Sequence, residues 1–394
     1  NYTINGTGNV GLVVSSAGTG LNIYQGGTGR NVFNVNGTTN NTGILNDGQI
    51  DGLNTPTFSI TATNSNGIRN NGSGKVTINN GSFDISGTTS NGINNQTSTV
   101  SKTTGVTFTM RATKTNGITN AGDVKSYGDI FNMNTDDTNG IIGTDGDIYT
   151  EGTTFNIAAN VKKSNGINNQ NGNTVKVKNA NTTLVNRFIL GTGVTESNGI
   201  YTKKGDTNVN DIGFVINSGG TTNDRNNGIF IDSSASGTHA IDHSQFDIDG
   251  THSNGILAKD GTVNVTGTNG RSVFNVSGDY NNGIRLEAAT VSDISGTNFN
   301  VSGTNSNGVF ANTTGNLTLG SGSTTITGSG NNGLIVRDNG TLDVKDRSFD
   351  VGGTSNNGIY VVGSKTLNSV KNSSFKVNNN NIGILVGDSS QATI

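Results

Sequence analysis

One tripeptide, Asn-Gly-Ile, returns along the chain at nearly constant intervals of about 25 residues. The first full copy is Asn66-Gly67-Ile68, and Val309 or Leu334 replaces the isoleucine in two later copies. The glycines of all fifteen copies, three of them in looser matches, are Gly11, Gly43, Gly67, Gly92, Gly117, Gly140, Gly166, Gly199, Gly228, Gly255, Gly283, Gly308, Gly333, Gly358 and Gly383. A fixed period of this length predicts repeats that pack on their neighbours, and it constrains the architecture before any chemistry is considered.

A second pattern runs in phase with the first: a phenylalanine followed two residues later by an apolar residue, as in Phe58 and Ile60. Of the 15 phenylalanines, only Phe230 and Phe310 lie elsewhere, and Thr324 takes this position in one repeat. The phenylalanines of the pattern are Phe33, Phe58, Phe83, Phe108, Phe131, Phe155, Phe188, Phe214, Phe246, Phe274, Phe299, Phe349 and Phe375. Alternation over a short run predicts a strand with one buried face.

A third alternating pair follows each Asn-Gly-Ile unit after a turn, as in Val76 and Ile78 or Val263 and Val265. Three short strands in about 25 residues predict an all-β fold, a parallel β-solenoid (β-helix) that we take as right-handed, with 14–15 coils. Asn-Gly also favours antiparallel hairpins, but hairpins would place it at every connection rather than at one corner in three. We expect one continuous domain over residues 1–394, as a segment of a longer protein.

Stacked coils place equivalent residues above one another, so side chains of one kind form columns. We expect the rings of Phe58, Phe83, Phe108, Phe131 and Phe155 to stack inside the solenoid. We expect amide ladders from Asn66, Asn91, Asn116, Asn139 and Asn165. The glycine that follows each of these asparagines is predicted to supply a positive φ at a corner.

Composition limits the classes of function. Apolar residues make up 29% of the chain, but their regular spacing argues against disorder. The net charge is −3 with interspersed signs, so no nucleic-acid partner is expected. Without cysteine the chain has neither disulfides nor thiolate metal sites, and no apolar run is long enough to span a bilayer.

Catalytic signals are weak. Asp247 and Asp249 share one predicted strand, and His239, His243 and His252 are close in sequence. One interpretation is a metal or acid–base site of the kind found in polysaccharide-degrading β-helices; the other is a set of solvated loop residues. We expect no catalytic residue, no metal site and no cofactor.

The residue after the isoleucine of each Asn-Gly-Ile unit changes character along the chain. It is polar or mixed in the early repeats and mostly apolar or aromatic later, at Tyr201, Phe230, Leu257, Phe310, Ile335, Tyr360 and Leu385. If the isoleucine points inward, alternation directs this residue outward, which predicts an exposed contact stripe. The alternative is that corner geometry turns these residues inward or that a loop covers them.

The recurrent Thr-x-Ser-Asn-Gly-Ile units, the Gly/Asn/Thr/Ser bias and the missing cysteine resemble the repetitive β-helical passenger regions of bacterial autotransporters and related large surface adhesins. The resemblance implies a secreted or cell-surface rod or fibre. Its partners would be further copies of itself, in lateral or end-to-end assembly, or ligands on host or neighbouring cells. A polysaccharide-binding or -degrading β-helix, an ice-binding solenoid and a surface-layer or sheath component are the alternatives.

Overall fold

The structure is a computed structural model of the 394-residue chain. It describes residues 1–15, 21–23, 31–96, 99–179, 185–217, 224–268, 271–288, 291–337, 341–363, 366–387 and 390–392. The chain divides into two compact units, Asn1–Ala180 (unit 1) and Asn181–Ile394 (unit 2).

Unit 1 contains three parallel sheets, and each has seven strands in the described part of the unit. The first sheet consists of β1 (Tyr2–Ile4), β4 (Val32–Val35), β7 (Thr57–Ile60), β10 (Ser82–Ile85), β13 (Thr107–Met110), β16 (Ile130–Met133) and β19 (Thr154–Ile157). The second consists of β2 (Val10–Val14), β5 (Thr42–Asn46), β8 (Asn66–Asn70), β11 (Asn91–Asn95), β14 (Asn116–Asn120), β17 (Asn139–Gly143) and β20 (Asn165–Asn169). The third consists of β3 (Leu21–Ile23), β6 (Gln49–Asn54), β9 (Lys75–Asn79), β12 (Val100–Thr104), β15 (Asp123–Tyr127), β18 (Ile148–Glu151) and β21 (Thr174–Lys178).

Unit 2 repeats this plan with eight strands per sheet among its described residues. The first sheet consists of β22 (Val185–Leu190), β25 (Ile212–Asn217), β28 (Gln245–Thr251), β31 (Ser272–Asp279), β34 (Thr297–Val301), β37 (Gly322–Ile326), β40 (Arg347–Val351) and β43 (Ser374–Val377). The second consists of β23 (Asn198–Thr202), β26 (Asn227–Ile231), β29 (Asn254–Ala258), β32 (Asn282–Ala288), β35 (Asn307–Thr313), β38 (Asn332–Arg337), β41 (Asn357–Val361) and β44 (Ile382–Val386). The third consists of β24 (Asp206–Asn210), β27 (Thr238–Asp242), β30 (Thr262–Thr266), β33 (Val291–Ile294), β36 (Leu317–Leu319), β39 (Thr341–Lys345), β42 (Thr366–Lys371) and β45 (Gln391–Ala392).

Within each unit, every strand pairs in parallel with the equivalent strand of the next coil. The register joins equivalent residues about 25 positions apart, as in Phe58 to Phe83 and Phe83 to Phe108. This confirms the prediction of an all-β parallel β-solenoid with three sheets, and the antiparallel alternative is wrong. No helix occurs in the ranges described above, so none has the length and apolar character of a membrane span. The expectation of one domain over residues 1–394 stays a prediction.

The core of each unit contains a column of stacked phenylalanine rings. From Phe33 to Phe155 in unit 1, successive ring centroids are 4.5–4.9 Å apart and the planes are within about 10° of parallel. These rings are at most 1% exposed. Burial of each ring stabilises the fold by about 1.5–3 kcal/mol, so the column is a large part of the hydrophobic core.

In unit 2 this column is interrupted at Thr324, which pairs in register with Phe299 and Phe349. The side chain of Arg347, only 1% exposed, occupies the space instead. Its guanidinium lies 5.6 Å from the centroid of the Phe299 ring. Its nitrogens donate to the hydroxyls of Thr297 and Thr324 and to the backbone carbonyls of residues 320, 321 and 323, at 2.7–3.3 Å. A fully hydrogen-bonded cation therefore replaces a ring.

The asparagines of the Asn-Gly-Ile units form side-chain ladders along the second sheet. In unit 1 each amide nitrogen donates to the amide oxygen one coil earlier, from Asn91 to Asn66 and onward to Asn165, at 2.9–3.1 Å. The same contacts run from Asn227 to Asn357 in unit 2, at 2.8–2.9 Å. Each coil is thus joined to the previous one by side-chain as well as backbone hydrogen bonds.

The predicted positive φ at the glycine of Asn-Gly-Ile is wrong. Gly67 lies inside β8, and the positive φ occurs three residues earlier, at Asn64 (φ 51°). A Cβ atom at Gly67 would lie 2.7 Å from the carbonyl oxygen of Gly92 and 2.9 Å from the Phe83 ring. Glycine is needed here because the backbone approaches the stacked rings too closely for a side chain.

Candidate functional site on the outer face of the second sheet

The residue after the isoleucine of Asn-Gly-Ile lies on the outer face of the second sheet. Ile229 is completely buried, whereas the following residue, Phe230, is half-buried. In unit 2 these residues pair in register from coil to coil and form one column (the outer column): Tyr201, Phe230, Leu257, Arg285, Phe310, Ile335, Tyr360 and Leu385. All of these side chains except Ile335 are half-buried.

Ile335 departs from the expected exposure, since only 5% of it is accessible. It lies between Phe310 and Tyr360 in the register of the sheet. The column therefore presents its aromatic members more than Ile335.

Two arginines flank the Phe310 ring. The guanidinium carbon of Arg285 lies 5.2 Å from the ring centroid, and that of Arg337 lies 5.4 Å from it. Arg285 also forms an ion pair with Glu287, with 2.6 Å between Nη2 and the carboxylate oxygen. The Arg337 side chain is exposed, and the described residues include no carboxylate within ion-pair distance of it. Two cation–π contacts with one ring help to hold both planar guanidinium groups in place.

A second aromatic pair lies at the beginning of the outer column. The Tyr201 and Phe230 rings meet edge to face with centroids 5.3 Å apart, and the Lys259 ammonium lies 5.1 Å from the Phe230 centroid. The Tyr201 hydroxyl donates to Asp232 at 2.5 Å. Burial, together with the negative charge of Asp232, raises the pKa of Tyr201, so this hydroxyl stays protonated at neutral pH.

The amide ladder lies beside the outer column, and together they border an open groove of about 440 Å³. Its lining includes Arg285, Phe310, Arg337 and Tyr360, with Asn282, Asn307, Asn332 and Asn357 of the ladder. None of the described lining residues is acidic. The groove therefore combines amides, two cations and aromatic rings.

At the corner that precedes the second sheet, His252 and Tyr280 stack with centroids 5.0 Å apart and planes 13° from parallel, and both line the groove. Both have positive φ, 58° and 57°. Tyr280 is 51% exposed. The left-handed backbone places these two side chains at the rim of the groove.

The three histidines, which the sequence grouped together, occupy different environments. His239 is completely buried on β27, where burial lowers its pKa and Nε2 lies 3.3 Å from the Ala235 carbonyl oxygen. His243 contacts Asp211 at 2.5 Å between Nδ1 and Oδ1, and His252 stacks on Tyr280. In the part of the chain that the structure describes, no group of three or more His, Asp or Glu is arranged to hold a metal ion.

Asp247 and Asp249 lie on the outer face of the first sheet, on β28. The two oxygens of Asp247 accept hydrogen bonds from Gln245 at 2.9 Å, and Oδ1 also accepts one from Asn275 at 2.7 Å. In register, Asp247 faces Val215 and Asn275, so the neighbouring strands place no second carboxylate beside it. The Asp247 carboxylate is therefore hydrogen-bonded by side-chain amides and has no carboxylate partner on these strands.

Sequence reasoning missed a buried polar column at the corner before Asn-Gly-Ile. The residue just before each asparagine is completely buried, as with Ser65, Ser90 and Asn331. Its side-chain oxygen accepts the backbone N–H of the equivalent residue one coil earlier, for example from Ser65 to Ser90 at 2.9 Å. Serine, threonine or asparagine at this position in every repeat was the signal that could have revealed it.

A second groove, of about 430 Å³, lies on the third sheet of unit 1 and was also missed. Tyr127 and Tyr149 line it with ring centroids 5.7 Å apart. The Lys102 ammonium lies 5.4 Å from the Tyr127 centroid, and the Lys178 ammonium lies 5.6 Å from the Tyr149 centroid. Asp123 and Asp147 line this groove as well, so its charge is mixed.

No protein-family model matches the chain, and no curated protein matches it. A solved structure, described as that of the Streptococcus pneumoniae surface protein and adhesin PfbA, is similar at 10% sequence identity with a TM-score of 0.22. The similarity covers 93% of this chain and 92% of that chain. Similarity at this level does not define a function.

Proposed function

We propose that this chain is an extracellular structural and adhesive solenoid of a bacterial surface, and that it contacts its partners through the outer column of unit 2. The observation that carries the proposal is a column of aromatic, aliphatic and arginine side chains on successive strands, all of them half-exposed except Ile335. In unit 1 the same position is mixed: the polar residues Arg69, Asn94, Thr119 and Asn168 are interspersed with the apolar residues Val13, Leu45 and Ile142. Large apolar side chains that recur on one face are typical of contact surfaces.

The proposed role is binding rather than catalysis, and we assign no catalytic residue. The register around Asp247 supports this choice, because cleavage of a polysaccharide uses a pair of carboxylates and Asp247 faces Val215 and Asn275 on the neighbouring strands. Placement outside the cell is supported by the resemblance of the Thr-x-Ser-Asn-Gly-Ile repeats and of the Gly/Asn/Thr/Ser bias to the β-helical regions of bacterial surface adhesins. Antibody labelling of intact producing cells would test it, and signal only after permeabilisation would contradict it.

The adhesive role is tested by giving unit 2 the polar residue types that unit 1 has at this position. Beads coated with the protein would be compared with beads coated with the combined variant Leu257→Thr, Phe310→Thr and Tyr360→Asn. We expect retention on host or neighbouring bacterial cells to fall about tenfold, because a few large side chains carry most of the energy of a contact surface. Circular dichroism melts would check that the variant remains folded.

The matched control is the combined variant Asn94→Gln and Thr119→Ser, at the same position of unit 1. Retention should be unchanged for this control. Equal loss in both variants, or no loss in the unit 2 variant, would overturn the proposal. Sedimentation velocity on the same samples separates adhesion to other cells from lateral self-association: association of the parent protein that disappears in the unit 2 variant would assign the column to assembly.

A further inference from the structure

We infer that the groove beside Phe310 binds a linear acidic polysaccharide that carries carboxylate groups. The inference rests on the proposed function, since it names the class of partner for the outer column. Three features of the groove support it: its charge, its repeating amides and its aromatic surface.

The charge of the groove is complementary to a carboxylate. Arg285 and Arg337 both line it next to the Phe310 ring, and none of its described lining residues is acidic. Arg285 already forms an ion pair with Glu287, whereas Arg337 has no carboxylate partner among the described residues. The planar fork of a guanidinium matches the two oxygens of a carboxylate and can donate two parallel hydrogen bonds to it. Arg337 is therefore the anchor that we assign to the acidic group.

The amide ladder supplies a repeating set of hydrogen-bonding groups. Each asparagine amide has two N–H donors and a carbonyl oxygen with two lone pairs, and the ladder uses one of each. In unit 1, residues at the equivalent outward position use some of the ladder's remaining acceptor capacity. Thr119 and Asn168 donate to the ladder oxygens of Asn91 and Asn139 at 2.7 and 2.9 Å. Phe310 and Tyr360 make no such contact among the described residues of unit 2, so the ladder keeps acceptors for the hydroxyl groups of a ligand.

The geometry favours an extended ligand. Successive coils repeat the same amide at the inter-strand spacing of about 4.8 Å, so a linear chain of hydroxyl-bearing rings along the stack would meet an equivalent pair of groups at each coil. The Phe310 and Tyr360 rings offer apolar surface to the C–H faces of sugars. Successive phosphates of a nucleic acid would need more cations than these two arginines, in a chain whose net charge is −3.

The probe is a fluorescently labelled oligogalacturonate, and the control probe is the same oligomer with its carboxylates methyl-esterified. Fluorescence anisotropy with the full chain should show saturable binding of the acid form that weakens as salt is raised. The esterified form should bind at least about tenfold more weakly, because the loss of one charged hydrogen-bonded pair changes affinity by about this factor.

Two variants locate the site. Arg337→Gln should weaken binding of the acid form about tenfold, and Arg337→Lys should weaken it less, since it keeps the charge and loses the fork. Arg69→Gln changes an arginine at the outer-column position of unit 1 and should have no effect. Because Arg337 and Arg69 are both exposed, folding of these variants should match that of the parent.

The inference is overturned if the parent protein does not bind the acid form, if both forms bind equally, or if Arg337→Gln binds like the parent. Tighter binding of single-stranded DNA than of the oligogalacturonate at equal charge would also overturn it. If these results come with cell retention that still depends on the outer column, adhesion stands and only the ligand class is wrong. Binding of the acid form without cell retention would instead support the ligand and contradict adhesion.

Discussion

Four successive coils of unit 1 and six successive coils of unit 2 fill the inner position after the outward-facing residue in opposite ways. Val14 and Gly143 in unit 1 and Thr202 in unit 2 occupy this position outside those runs. In unit 1 it holds the buried asparagines Asn46, Asn70, Asn95 and Asn120, whose amides donate from one to the next at 2.7–2.8 Å. In unit 2 it holds the buried aliphatic residues Ile231, Ala258, Leu286, Ala311, Val336 and Val361. One face of the same type of coil is thus polar and hydrogen-bonded in one unit and apolar in the other.

The difference shows what stacked coils require of their interior. An interior residue must match the equivalent residues above and below it more than it must be apolar. A buried amide costs little when its neighbours supply the hydrogen bonds that water would otherwise supply, and an aliphatic column needs no such partners. Whether an interior residue fits therefore depends on the whole column rather than on that residue alone.

The largest expected effect comes from placing one residue in the wrong column. Asn95→Leu removes the hydrogen bond that Asn95 accepts from Asn70, and the two that it donates to the Asn120 side chain and to the Asp123 carbonyl oxygen. Since each unsatisfied buried group costs about 1–3 kcal/mol, we expect roughly 4–6 kcal/mol of destabilisation in unit 1. Urea unfolding would measure it, and hydrogen exchange would assign it to residues of unit 1.

The reciprocal change, Val336→Asn, should destabilise unit 2 because an amide among Ala311 and Val361 finds no ladder partner. A neutral or stabilising Asn95→Leu would show that unit 1 tolerates either type of residue at this position, and it would contradict the requirement that stacked residues match.

The next effect concerns the interrupted ring column of unit 2. Arg347→Ala should cost about 3–5 kcal/mol, because it empties a space and removes the donors of several buried oxygens. Thr324→Phe alone should cost about 1–3 kcal/mol, because the new ring overlaps the guanidinium. The double variant should be more stable than the sum predicts, since it restores the continuous column seen in unit 1. Additive losses in urea unfolding would show that the two positions do not share one space.

A pH dependence of stability is also expected in unit 1, no larger than the loss expected for Thr324→Phe. Burial raises the pKa of Asp129 from its ordinary value of 3.8 to about 6, although Ser126, Thr103 and the Val106 N–H donate to its carboxylate. A raised pKa in the folded state favours the protonated folded form. Its contribution is therefore fully present below about pH 4 and is lost as the pH rises through about 6, by up to about 3 kcal/mol.

Asp129→Asn should remove this dependence, because the amide has the same shape without a charge. Its oxygen can accept the Val106 N–H, and its nitrogen donates to the hydroxyl oxygens of Thr103 and Ser126, which now act as acceptors. Melting temperatures of parent and variant between pH 4 and pH 7 would measure it, with Asp84→Asn at an exposed position as the control. Parallel curves for the parent and Asp129→Asn would contradict the assignment to Asp129.

Much of the fold could be predicted because stacking turns a sequence period into spatial contact. Phe58 and Phe83 touch since they occupy the same place in successive coils. The role of glycine was misjudged for a physical reason: a short-range pattern such as Asn-Gly signals a turn, whereas the close approach of Gly67 to the Phe83 ring depends on packing between strands. Arg347 was missed because a lone arginine near a strand end has the pattern of a surface charge.

The candidate site could be predicted only in part. The outward direction of Phe310 follows from alternation along its strand, and the change to larger residues in the later repeats is visible in the sequence. The contacts of Phe310 with Arg285 and Arg337 join three successive coils, and Arg337 comes from another column. Such a cluster depends on how far long side chains reach across coils, which the spacing of the repeats does not give.

The direction of the amide ladder has an electrical consequence. Every contact between Asn198 and Asn357 has the nitrogen on the higher-numbered residue and the oxygen on the lower-numbered one. The side-chain dipoles therefore add along the stack, as peptide dipoles do in a helix. Unit 2 thus carries a built-in polarity along its second sheet, and a bound chain with distinct ends would encounter it differently in its two orientations. In unit 1 the inner asparagine ladder runs in the opposite sense and offsets the outer one.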